Sequence, residues 1–171
     1  MSDPTQSTDQ TTGQSESMRV CIGADHRGMN TAERVKETLI HLGHSASLVE
    51  TCEGSCDYPE QAYAVGQAMN KGDADRGVLI CGTGIGMSIA ANKMQGLRAA
   101  LVHDELTAQL SRSHNNANVL CLSADLLGER LIDKVVEVWM STEFEGGRHE
   151  RRVNKITAIQ DGIDPSTINE S

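Results

Sequence analysis

Aromatic residues are nearly missing from this chain. One Phe, one Trp and two Tyr among 171 residues amount to 2%, so stacked rings cannot form the core. Val, Ile, Leu, Ala and Met must fill it instead. Positive charge is scarce as well. The 15 Lys and Arg against 24 Asp and Glu leave a net charge of −9, which argues against the basic surface that nonspecific nucleic-acid binding needs. A small anion remains compatible with that balance, because a local pair of arginines holds one on an acidic protein. No apolar run approaches the roughly 20 residues of a membrane span, and no basic segment followed by an apolar one marks a signal peptide. Cysteine is present in odd number: Cys21, Cys52, Cys56, Cys81 and Cys121. Three of the five lie in apolar, strand-like runs, a usage that predicts reduced thiols and a cytoplasmic protein.

Residues 1–17 carry no aliphatic or aromatic side chain between Ser2 and Ser17. Such a segment cannot bury enough surface to offset its ordering. It reads as a disordered polar tail, with Met18 as an alternative start. Strand and helix patterns then alternate. Strands are expected at Arg19–Ala24, Ala46–Val49, Arg76–Cys81, Leu97–Val102 and Asn118–Leu122. Helices are expected over residues 29–42, stopped by Gly43, and over Glu60–Lys71 and Ile85–Met94. Others follow from Asp104, a capping residue, to about Arg112, over Leu126–Met140, and over His149–Gln160. The apolar stripes are Ala32, Val35, Leu39 and Leu42; Leu127, Leu131, Val135 and Val138; and Val153, Ile156 and Ile159. The alternation predicts one α/β domain over residues 18–160, a Rossmann-like three-layer α/β/α sandwich on a five-stranded parallel sheet. A polar C-terminal tail, 161–171, is expected to fray.

The stretch from Val78 to Ser88 concentrates the chemistry. It is a buried strand, a glycine-rich turn and a helix start. Three glycines in five residues, Gly82, Gly84 and Gly86, let backbone amides crowd a ligand where side chains would block it. The following helix start directs free N–H groups at the same place. Cys81 ends the strand, at the sheet edge where open α/β folds put their ligands. A lone cysteine is usually an inert core residue, a reading that suits Cys21 and Cys121. At Cys81 the glycines and helix start favour the thiolate, which acts as a nucleophile or a general base.

Other polar clusters are Asp25-His26, His103-Asp104 and Ser123 at the ends of the first, fourth and fifth strands, and Asp57-Tyr58-Pro59 and Ser113-His114-Asn115-Asn116 in a loop or just before a strand. Arg148 and Arg152 are four apart and share a helix face, a geometry that suits a phosphate. Basic residues at a helix start oppose its dipole, so a purely solvated role is the less comfortable reading. Arg151 lies on a different face of the expected helix, which predicts a solvated side chain. Cys52-x3-Cys56 with His44 is too loose a pattern for zinc, with no second cysteine pair. His41 and His44 flank a helix end and read as dipole partners or solvated groups. The G-x-G-x-x-G dinucleotide pattern is absent after the first strand, and the turn Gly82-Thr83-Gly84-Ile85-Gly86 is too tight to match it, which disfavours a nicotinamide enzyme.

Six stretches together resemble the ribose-5-phosphate isomerase B family, which includes the galactose-6-phosphate isomerase subunits. They are Gly23-Ala24-Asp25-His26-Arg27-Gly28, Asp57-Tyr58-Pro59, Ile80-Cys81-Gly82-Thr83-Gly84-Ile85-Gly86, Ser88-Ile89-Ala90-Ala91-Asn92-Lys93, His114-Asn115-Asn116-Ala117-Asn118-Val119, and Glu145-Gly146-Gly147-Arg148-His149 with Arg152. They cover nearly all of residues 18–160 in the family's order.

The resemblance implies a metal-free, cofactor-free aldose–ketose isomerase working through an enediolate. Cys81 resembles the base that moves a proton between C1 and C2, and His114 the acid that opens the furanose ring. The amides from Gly82 through Thr83, Gly84 and Ile85 to Gly86 would stabilise the enediolate oxygen. Asp25 and His26 would contact the sugar and its phosphate end, Asn115 would bind near His114, and Tyr58 and Thr83 would line the pocket. Arg148 and Arg152 would hold the phosphate. One branch of the family uses a glutamate just after the last loop glycine; Met87 stands there in this chain, leaving Cys81 as the candidate base.

Family members are homodimers, in some cases tetramers, with sites completed by the second subunit, and a homodimer is expected here. One departure is Asp125, which stands where many members carry an arginine. The implied reaction interconverts ribose 5-phosphate and ribulose 5-phosphate. The alternatives are another aldose phosphate (galactose 6-phosphate, allose 6-phosphate or a four-carbon sugar phosphate) and a non-catalytic sugar-phosphate-binding protein.

Overall fold

Side chains two apart on the central strands sort into two layers, as the period of a strand requires. The structure, a computed structural model that describes residues 16–50 and 56–168, places Val20, Ile22, Val78, Ile80, Leu120 and Leu122 in one apolar cluster. Cys21, Leu79, Cys81, Val119 and Cys121 fall in another. The strands are β1 (Arg19–Ala24), β2 (Ser45–Leu48), β3 (Arg76–Cys81), β4 (Ala99–Leu101) and β5 (Val119–Ser123). All pairings are parallel, in the order β2-β1-β3-β5-β4. Such a sheet must be covered on both faces. Helices α1 (Met29–His41), α4 (Glu105–Ser113) and α5 (Glu129–Ser141) contribute to the first cluster, and α2 (Tyr58–Asn70) and α3 (Ile85–Ala91) to the second. The Rossmann-like three-layer sandwich is therefore present.

Element ends moved for local reasons. Helix α2 begins at Tyr58 rather than Glu60, with Asp57 at its N-cap and Pro59 in its first turn, where proline's missing N–H costs nothing. Helix α3 stops at Ala91, earlier than expected, because the Asn92 side chain bridges Ser88 and Ala99. Helix α5 begins after Gly128, at Glu129 rather than Leu126. Its buried face is Ile132, Val135, Val136, Trp139 and Met140, while Leu127, Leu131 and Val138 are only partly buried against it. Past Gln160, where fraying was expected, Pro165–Thr167 closes a 3-10 turn capped by the Asp164 side chain. The expected N-terminal tail lies outside the described residues except for Glu16 and Ser17.

The single tryptophan, Trp139, is fully buried. Two buried guanidiniums lie over its ring, Arg76 at 5.1 Å and Arg112 at 5.7 Å. Arg112 donates to the Ala117 carbonyl at 2.6 Å and to Asn116 at 3.0 Å. Burial, with Arg76 and Arg98 nearby, lowers its pKa to about 10. Cation–π contact and carbonyl acceptors thus hold charges that the interior would otherwise expel.

Helix α6 (Arg148–Gln160) departs from its expected packing. Val153 and Ala158 are buried, but Ile156 and Ile159 are 44% and 62% exposed. Both line an open cavity of about 610 Å³ with Asn92, Leu97, Ala99 and Asn115. The apolar stripe on α6 exists, yet among the described residues nothing covers its outer part.

Cysteine chemistry also differs from expectation. Cys21, Cys81 and Cys121 are free thiols, whereas Cys56 is disulfide-bonded. An odd count excludes complete pairing but not one bridge. The loose zinc pattern loses its Cys56 sulfur, Cys52 lies outside the described residues, and His44 Nδ1 accepts from the Met18 amide at 3.3 Å.

Candidate functional site

In this strand order the chain leaves β1 towards β2 on one side and returns to β3 on the other. The carboxyl ends of β1 and β3 therefore flank the point where ligands enter such sheets. Ala24 pairs with Ile80 in register, and the Asp25 amide donates to the Ile80 carbonyl at 3.2 Å. Asp25, at the end of β1, thus sits beside Cys81. Its carboxylate is buried and accepts from the amides of Arg27 (2.9 Å) and Gly28 (3.1 Å). This fixes the turn and leaves exposed His26 at the rim.

Cys81 is 5% exposed, and its Sγ accepts from the Gly84 amide at 3.1 Å. Gly84 reaches that position with φ of +75°, a left-handed conformation that other residues adopt at a cost. Thr83 is exposed, and its Oγ1 accepts from the Ile85 amide at 3.3 Å. Tyr58, the first residue of α2, lies against Gly86: an added Cβ there would sit 2.5 Å from its ring. The turn from Gly82 to Gly86 thus forms a floor between the Cys81 thiol and the Tyr58 ring. Burial pushes the Cys121 and Cys21 thiols up from their ordinary values, which fits inert core residues.

A second cluster forms at the other end of the sheet. Cys81 pairs in register with Ser123, the last residue of β5, whereas Gly77 pairs with Val119, the first. His114 caps the C-terminus of α4 and precedes β5, so it belongs to the amino edge of the sheet. The rise along β5 alone is about 13 Å. His114 is stacked on His149, with centroids 4.0 Å apart and planes 7° from parallel. Glu145 lies against both: its Oε2 is 3.6 Å from His149 Nε2 and 4.0 Å from His114 Nε2. Arg148 Nε donates to His149 Nε2 at 3.3 Å. His149 is buried, and burial, followed by the neighbouring His114 and Arg148, lowers its pKa against the opposing pull of Glu145. Arg152, one turn along α6 from Arg148, is exposed, and Asn115 lines the 610 Å³ cavity.

The candidate residues therefore form two groups. Asp25, His26, Tyr58, Cys81 and the turn Gly82, Thr83, Gly84, Ile85 and Gly86 meet at the carboxyl edge. His114, Asn115, Arg148 and Arg152 meet at the amino edge. Within one chain the two groups do not meet. Sequence reasoning gave no role to Glu145, His149 or Arg27. His149 and Glu145 are four apart beside Arg148, a weak local signal; their meeting with His114, from a different helix, is visible only in three dimensions.

A family model described as Ribose/Galactose Isomerase matches residues 20–156. The chain is 40% identical over 143 residues to the ribose-5-phosphate isomerase B of Escherichia coli, covering 83% of this chain and 96% of that one. It is 39% identical over 142 residues to a D-erythrulose-4-phosphate isomerase of Pectobacterium atrosepticum, covering 81% and 93%. Its structure matches that of a type B ribose 5-phosphate isomerase from Leishmania infantum with a TM-score of 0.82 at 43% identity, over 86% of this chain and 99% of that one.

Proposed function

The chain belongs to the ribose/galactose isomerase family, and on that premise we propose that it interconverts ribose 5-phosphate and ribulose 5-phosphate through an enediolate, without a cofactor. The observation that carries this reading is the Cys81 thiol, set beside the glycine turn and hydrogen-bonded by the Gly84 amide. As thiolate, Cys81 removes the proton from C2 of the open-chain aldose and returns it to C1. Amides of the turn from Gly82 to Gly86 stabilise the oxygen on which negative charge develops. His114 donates to the ring oxygen and opens the furanose. Asp25 and His26 contact the sugar and its phosphate end, Asn115 binds beside His114, and Tyr58 and Thr83 line the pocket. Arg148 and Arg152 hold the phosphate.

This division of labour needs two chains. Cys81 and His114 lie at opposite edges of one sheet, so a working site takes the carboxyl edge of one protomer and the amino edge of its partner. The exposed Ile156 and Ile159 beside the cavity favour such a homodimer, since an uncovered apolar patch commonly marks an interface.

A four-carbon sugar phosphate is the second reading, favoured by the similarity to a D-erythrulose-4-phosphate isomerase. The test is proton NMR of ribose 5-phosphate incubated with the protein in deuterated water. Deuterium entering at C2 is the expected outcome. Binding without exchange at any aldose phosphate would leave a sugar-phosphate-binding protein instead.

A further inference from the structure

His114, Glu145 and His149 each present one ligand atom, and the three atoms lie within 4.8 Å of one another. The reaction proposed above uses His114 but neither of its neighbours. Two imidazoles and a carboxylate form the three-ligand pattern of zinc sites that keep a position open. Imidazole also selects transition metals over magnesium and calcium, which prefer oxygen.

The geometry supplies two more conditions. His149 Nε2 accepts a hydrogen bond from Arg148 Nε, so this nitrogen carries the lone pair that a metal needs. The backbone fixes the frame: the Glu145 amide donates to the Ser113 carbonyl at 3.0 Å, and the His149 amide to Gly146 at 3.0 Å. Glu145 is thereby tied to the end of α4 that carries His114. With metal–ligand bonds of about 2.0–2.2 Å, tetrahedral ligand atoms lie roughly 3.3 Å apart. The Glu145 gaps of 3.6 and 4.0 Å close by small side-chain rotations. His114 turns about its Cβ–Cγ bond to leave the stack, which its 36% side-chain exposure permits. Exposed Arg148 swings into solvent.

We propose that His114, Glu145 and His149 form a binding site for Zn²⁺ or a similar divalent transition-metal ion, which inhibits the protein by immobilising the His114 imidazole. The inhibitory consequence rests on the role given to His114; metal binding does not.

The full chain is titrated with ZnCl₂ by calorimetry, without sugar or phosphate, and with CoCl₂ by visible absorption. One ion per chain is expected at this site, with cobalt d–d bands and no sulfur-to-cobalt charge-transfer band. Glu145→Gln and His149→Asn should each weaken binding about tenfold or more, by analogy with the loss of a supporting group. Glu145 is exposed, so its variant reports even if the buried His149 variant fails to fold. Zn²⁺ affinity unchanged within about twofold in Glu145→Gln, or a sulfur-to-cobalt band lost in Cys81→Ala, would overturn the proposal. Deuterium exchange without Zn²⁺ binding removes this site alone, and Zn²⁺ binding without exchange removes the isomerase reading alone.

Discussion

Arg27 closes on Asp125 over the start of the glycine turn. Nη2 is 2.6 Å and Nε 3.0 Å from the same carboxylate oxygen. A Cβ added at Gly82 beneath them would meet Asp125 Oδ2 at 2.8 Å and Arg27 Nε at 3.0 Å. The loops after β1 and β5 thus build a charged wall beside Cys81. The Asp125 amide on the Gly82 carbonyl (3.1 Å) and Ser123 Oγ on the same carbonyl (2.6 Å) anchor it.

That wall predicts a specificity effect without a stability effect. The two side chains are 57% and 38% exposed, so their pairing contributes at most about 1 kcal/mol. Asp125→Ala should leave the unfolding free energy within that margin. It should shift the kcat/KM ratio between four- and five-carbon aldose phosphates by about tenfold, the scale of one charge-assisted contact. An unchanged ratio across such a panel would remove the wall from substrate choice.

Opposite placement of Cys81 and His114 predicts complementation. Cys81→Ala alone should lower kcat by about 10²–10⁴, the range of a general base, while binding survives. His114→Asn alone should stop ring opening. Refolded together, the two inactive variants should regain about a quarter of wild-type activity, because half the dimers then hold one intact site. No recovery in a mixture shown to exchange subunits would place the site within one chain.

Arg152→Ala tests the phosphate clamp. Loss of one charge-assisted hydrogen bond, about 1.5–3 kcal/mol, corresponds to roughly 10- to 150-fold in affinity. The loss should fall mainly on KM. A normal KM for ribose 5-phosphate would put the phosphate elsewhere.

Acid should destabilise the fold through its buried histidines. Burial, then nearby Arg76, holds the His44 pKa below its ordinary 6.5, and His149 is shifted the same way. As pH falls below about 6.5, the unfolded chain takes up protons first. Stability present at neutral pH is therefore lost towards the lower folded-state pKa values. Denaturant midpoints measured between pH 7 and 5 should fall, and His44→Asn should flatten part of that slope. An identical slope would exclude His44 as a contributor.

The strands were readable because β1, β3 and β5 are apolar runs ended by glycine or polar residues, and the turn after Cys81 announces itself by its glycines. Even the grouping at the carboxyl edge follows once the strands are parallel. What sequence did not carry is how the residues outside the strands meet one another in space. His114 stands just before β5, so its place at the amino edge follows from the strand order, but its stacking on His149 needs α4 and α6 brought together. The stripe on α6 was visible, but not that Ile156 and Ile159 stay exposed among the described residues. Glu145 and His149 are a local pair four apart, but His114 joins them only once α4 and α6 are brought together.

The placement of Trp139 has a practical consequence. It is the chain's sole indole, fully buried against Arg76 and Arg112, and its ring nitrogen has no hydrogen-bond partner among the described residues. Its fluorescence is therefore a native reporter of the core. Emission should move to longer wavelength when water enters between α5 and the sheet, without any label. Cys81 lies in the other apolar cluster, across the sheet, so alkylating its thiol need not disturb the signal, and unfolding and chemistry can be followed in one cuvette as separate traces.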